Sequence, residues 1–192
     1  MTRLRPALAL AAGLALVAGA VGSSASAAPR SPAFATAAKA SVTPGVQTVT
    51  SGAQCTANFV YTDGRSVFVG QSAHCAGLGA ATETDGCKAS SLPLGTAVTV
   101  AGASRPGRLV YSSWLAMKKA GERDANTCAY NDFALVRLDP ADVGRTNPSV
   151  PVFGGPTGLD VDGTRAGEQV ASWGNSSLRM GVAAFSPKTG VS

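Results

Sequence analysis

A single histidine, His74, stands in the run Gln71-Ser72-Ala73-His74-Cys75, and a carboxylate, Asp132, in the run Asn131-Asp132-Phe133-Ala134-Leu135-Val136. Imidazole titrates near neutrality, so a neutral His74 can take a proton from a hydroxyl and return it to a leaving amine. A carboxylate on the other ring nitrogen fixes the tautomer and stabilises the imidazolium. Asp132 suits that part by position, because it precedes an apolar run that anchors the backbone while the side chain can face a cleft. Either residue alone is commonplace, a lone histidine being an ordinary surface group and an Asn-Asp pair a turn. Together, in a chain that also carries export and strand signals, they read as a base and its orienter.

The remaining chemistry-bearing residues are Cys55, Cys75, Cys87 and Cys128. An even number in an exported chain points to disulfides, and four cysteines allow three pairings. Cys55 with Cys75 and Cys87 with Cys128 is the favoured set. No pair has Cys-x-x-Cys spacing and the one histidine abuts a cysteine, so neither a metal nor a cofactor is expected.

The elements that must position these groups read as strands. Cys55 to Tyr61 and Ser66 to Gly70 flank Thr62-Asp63-Gly64-Arg65, and an Asp-Gly pair between β-prone runs is a hairpin signal. Such a hairpin brings Cys55 and Cys75 back toward one another and clamps the segment that bears His74. Thr96 to Val100, Arg108 to Tyr111 and Phe133 to Leu138 are further strands, and Ser113 to Gly121 is a short helix. Asp139 to Pro156, rich in Pro, Gly and Asn, reads as a connector. Gln169 to Trp173 and Met180 to Phe185 are two more strands, with Gly174-Asn175-Ser176-Ser177 between them. Short strands with regular turns and little helix make an all-β chain.

The N-terminus has a basic start, Met1-Thr2-Arg3-Leu4-Arg5-Pro6, an apolar run from Ala7 to Val21 and the small-residue site Ala25-Ser26-Ala27. This is the pattern of a secretory signal over residues 1–27, cleaved after Ala27. The alternative, an uncleaved anchor, is disfavoured because about 20 apolar residues are needed to cross a bilayer. The chain is therefore expected to be secreted and free of the membrane after cleavage. Residues 28–50, rich in Ala, Ser, Thr and Pro, read as a flexible leader or pro-segment. The chain has 16 Lys and Arg against 11 Asp and Glu, and Arg3 and Arg5 leave with the signal. The remaining basic residues are scattered, which excludes the basic stripe that a nucleic-acid partner requires.

With these residues in view, the chain resembles the trypsin-like, chymotrypsin-fold serine proteases. Gln71-Ser72-Ala73-His74-Cys75 is similar to their Thr-Ala-Ala-His-Cys box, and Asn131-Asp132-Phe133-Ala134-Leu135-Val136 to their Asn-Asp-Ile-Ala-Leu box. Cys55 matches the cysteine that pairs with the one after the histidine, and Gln169 to Asn175 is similar to an early strand of the second barrel. The resemblance covers about residues 50–190. It implies a double β-barrel, with the first barrel complete over 51–145 and a connector and the start of a second barrel over 146–192. It also implies a monomer that hydrolyses protein or peptide substrates through an acyl-enzyme, with His74 and Asp132 catalytic.

The family's Gly-Asp-Ser-Gly segment does not occur between Asp132 and Ser192. Ser172, Ser176, Ser177, Ser186 and Ser192 lie downstream of Asp132, and none is framed by glycines that allow a sharp, exposed turn. The nucleophile, the oxyanion donors and the side-chain pocket would follow later in that family. The expectation is a truncated, inactive form of a secreted endopeptidase. The alternative is a secreted, non-enzymatic binding module on the same scaffold.

Overall fold

The computed structural model describes residues 32–80, 83–179 and 182–192. The signal assigned to residues 1–27 lies outside the described residues. Among the described residues nine strands run in chain order as β1 (Gln47–Thr50), β2 (Ala53–Thr56), β3 (Val60–Thr62), β4 (Val67–Gln71), β5 (Ala97–Val100), β6 (Gly107–Ser112), β7 (Ala134–Arg137), β8 (Gln169–Trp173) and β9 (Pro187–Val191). Two short helices, α1 (Ser113–Ala120) and α2 (Ala125–Tyr130), stand between β6 and β7. The chain is thus mostly β.

Seven strands form one antiparallel sheet in the order β2-β1-β5-β6-β7-β4-β3. Its two outermost strands, β2 and β3, are separated by only three residues of chain, so the sheet must curl for both edges to be occupied. The intervening residues extend both ladders: the Ala57 N–H donates to the Val46 carbonyl on one side, and the Asn58 N–H to the Gly70 carbonyl on the other, each at 2.8 Å. The sheet is barrel-like as a result. Val67, Val69, Val98, Val100, Leu109 and Val136 point inward and are fully buried with Trp114, which removes their apolar surface from water.

The β3–β4 turn follows from local chemistry. Asp63 Oδ1 accepts from the Arg65 and Ser66 N–H groups at 2.8 and 2.7 Å, and Gly64 takes φ 86°, a conformation costly for residues with a Cβ. The expected strand from Cys55 to Tyr61 is split, however. Its first part pairs with β1 and its last part with β4, because one straight strand cannot serve both edges of a curled sheet.

Three other expectations are corrected. The supposed leader over 28–50 ends in β1, which pairs with both β2 and β5, and Val42, Thr48 and Thr50 are buried. The stretch from Asp139 to Pro156 is not a bare connector, since Pro140–Arg145 forms a 3₁₀ helix that buries Asp142. Of the strand expected over Met180 to Phe185, Met180 and Gly181 lie outside the described residues, and the rest does not pair with β8. Ala183–Phe185 is a 3₁₀ turn, and β9 pairs with β8 from Gln169–Val191 to Trp173–Pro187.

The β8–β9 hairpin is a separate two-stranded sheet that meets the rest of the fold through the Trp173 indole, which lies against Gly45, and through the loop that follows it. Asn175 Nδ2 donates to the Gly45 carbonyl at 3.0 Å and its N–H to Thr56 Oγ1 at 3.1 Å, while Gln47 Nε2 donates to the Asn175 carbonyl at 3.2 Å.

Candidate functional site

The register between β4 and β7 brings His74 and Asp132 together. Gln71 pairs with Ala134, so the exit of β4 lies beside the entry of β7. Residues just beyond the one strand therefore meet residues just before the other, across 58 positions of sequence. After β4 the chain turns through the 3₁₀ helix Ala73–Ala76, in which Ala73, Cys75 and Ala76 are buried. The same turn points His74 outward.

Asp132 takes hold of His74 twice. Its Oδ1 accepts from the His74 backbone N–H at 2.9 Å and its Oδ2 lies 2.6 Å from His74 Nδ1. An ionised carboxylate only accepts, so Nδ1 carries the proton and Nε2 of the neutral ring is left with its lone pair free. The imidazole remains 45% exposed, which leaves Nε2 open to a reacting group. Asp132 is ordered by its own neighbours: the Asn131 and Phe133 backbones are tied to Ser113, and the Phe133 ring packs edge-on against Tyr61 with centroids 5.6 Å apart.

The disulfides brace both arms of the site. Cys55 in β2 bonds to Cys75, next to His74, and Cys87 bonds to Cys128 in α2, four residues before Asp132. The favoured pairing is the one formed. The cluster of Cys55, His74 and Cys75, and that of Asp85, Cys87 and Cys128, have spent their sulfurs in these bonds and offer no thiolate to a metal. Two disulfides fit an oxidising compartment. Among the described residues no helix is long and apolar enough to cross a membrane.

A cleft of about 290 Å³ opens beside the imidazole, lined by Gln54, His74, Gly77, Glu83, Trp114 and the Cys55–Cys75 bridge among others. None of Ser172, Ser176, Ser177, Ser186 and Ser192 is hydrogen-bonded to His74 or Asp132, whose side chains bond to one another. Ser176 Oγ accepts from the Leu178 N–H and the Ser177 N–H donates to Gln54. Ser172 lies within β8, Ser186 is buried, and Ser192 donates to the Arg165 carbonyl. Among the described residues no hydroxyl hydrogen-bonds to Nε2.

Sequence reasoning missed α2, which carries Cys128 toward Cys87. The signal available was Asp124, whose carboxylate caps the helix by accepting from the Thr127 N–H at 2.7 Å. It also missed Ser113 and the aromatic group of Tyr61, Tyr111 and Phe133 beside Asp132. Comparison with protein-family models, curated proteins and solved structures gives no match for this chain.

Proposed function

We propose that His74 and Asp132 are the general base and its orienter of a secreted serine endopeptidase of the trypsin-like type. On this reading the curled sheet is the first barrel of a chymotrypsin-like pair, and the β8–β9 hairpin begins the second. The observation that carries it is the double grip of Asp132 on His74, which fixes both the place of the ring and its tautomer. In the reaction, Nε2 accepts the proton of an attacking serine hydroxyl, and Asp132 stabilises the resulting imidazolium. The same proton then passes to the amine leaving group of a protein or peptide substrate.

His74 and Asp132 form the proton-handling half of that machinery, and among the described residues no serine hydroxyl is bonded to Nε2. The isolated chain is therefore inactive, and a purified sample is expected to stay unlabelled by a fluorophosphonate; stoichiometric labelling contradicts this. The lack of a hydroxyl at Nε2 also favours a second reading, a secreted binding module that keeps the protease scaffold. The coding sequence after codon 192 separates the two. A Gly-Asp-Ser-Gly run in any frame supports the peptidase, and its absence supports the binding module.

A further inference from the structure

Asp132 can grip His74 only while its own backbone holds one conformation, and a single hydroxyl bears on both sides of it. Ser113, fully buried at the start of α1, donates through Oγ to the Asn131 carbonyl at 2.6 Å and accepts at the same oxygen from the Phe133 N–H at 2.9 Å. Its own N–H donates to the Phe133 carbonyl at 2.8 Å. The Asn131 carbonyl belongs to the peptide plane before the Asp132 Cα and the Phe133 N–H to the plane after it. Rotation about φ or ψ of Asp132 thus displaces a group bonded to Ser113.

We infer that Ser113 is a positioning residue for the catalytic pair, acting through the backbone of Asp132 and never touching substrate. The inference rests on the reading of His74 and Asp132 as base and orienter. Nothing else among the described residues hydrogen-bonds to the Asp132 carboxylate, so its aim depends on the two peptide planes. The hydroxyl suits the place because one donor and one lone pair are what the two backbone groups require. The strands bring it there: Ser112 pairs with Ala134 at the end of the β6–β7 ladder, leaving Ser113 facing Phe133.

The only histidine in the chain serves as its own reporter. In the intact 192-residue chain, the His74 Nδ1–H is expected to give a downfield proton resonance that Asp132→Asn abolishes. A wild-type chain without the resonance, or its persistence in Asp132→Asn, overturns the pairing itself. With the pairing in hand, Ser113→Ala is expected to lose the resonance while amide dispersion shows the sheet still folded, and Ser113→Thr to keep it. An unchanged resonance in folded Ser113→Ala, or equal loss in Ser113→Ala and Ser113→Thr, overturns the role of the hydroxyl and leaves the pairing standing. If the alanine chain does not fold, Ser113→Cys replaces it: loss of the resonance in the folded cysteine variant supports the inference, and retention overturns it.

Discussion

Asp132 engages His74 with both carboxylate oxygens, Oδ1 at the backbone N–H and Oδ2 at ring Nδ1, 2.9 and 2.6 Å away. One contact sets where the 3₁₀ turn stands against β7, and the other sets which ring nitrogen keeps the proton. An amide in place of the carboxylate puts a donating NH2 where one of these two oxygens accepts, so one of the two N–H groups loses its partner.

The disulfides are expected to stabilise unequally. Closure of the 20-residue separation of Cys55 and Cys75 contributes about 3 kcal/mol by the chain-entropy relation, and the separation of 41 for Cys87 and Cys128 about 4 kcal/mol. Paired serine replacements followed by urea unfolding measure both. Because Cys75 adjoins His74, loss of the first bridge should also disturb the ring, whereas equal and purely global effects count against a local brace.

Gly45 is held at φ 90°, and a Cβ there would overlap the Trp173 indole. Gly45→Ala therefore both strains the backbone and pushes away the loop that carries Asn175. A loss of about 1–3 kcal/mol is expected, with the Trp173 fluorescence shifting toward that of an exposed indole. An unshifted emission spectrum contradicts the contact.

Asp142 sets an acid limit on stability. Burial pushes its carboxyl group up, but hydrogen bonds from Ser104 and the Arg105 N–H outweigh that and hold it below the usual carboxylate range. With the folded value depressed, the stabilisation is fully present above the ordinary carboxylate pKa and is lost as pH falls through the folded value. Asp142→Asn should cost about 1–3 kcal/mol near neutrality and flatten the acid limb of a stability–pH curve. Parallel acid limbs for the two chains contradict this assignment.

Much of this was legible because it is local. The Asp63-Gly64 turn, the helix ended by Gly121 at φ 68° and the apolar strand from Ala134 are written in side chains that act on their own backbone. β1 was hidden because Thr48 and Thr50, not apolar residues, face the interior, and its surroundings have the composition of a leader. Pro187-Lys188-Thr189-Gly190-Val191 contains both residues that mark against a strand, and only pairing with β8 makes it one. His74 and Asp132 were found by their neighbours in sequence, yet the register that joins them depends on β4 and β7, and the hydroxyl of Ser113 carries no sequence signal of its own.

The residues after Val150 should be the least protected part of the fold. A two-stranded hairpin is marginal in water, the strands β8 and β9 are largely exposed, and Val152, Leu159, Val161, Leu178 and Phe185 present apolar surface. Hydrogen exchange is expected to be much faster in β8 and β9 than in β7, with association at high concentration. Equal protection contradicts this.

The pairing of His74 with Asp132 is tested most directly by ¹⁵N NMR of the single histidine at neutral pH. The neutral ring is expected to hold its proton on Nδ1, with Nε2 at the shift of an unprotonated nitrogen, and Asp132→Asn to redistribute the proton between the two. A neutral His74 protonated on Nε2 in the wild-type chain would contradict the account, since that nitrogen could not then accept a proton from a serine.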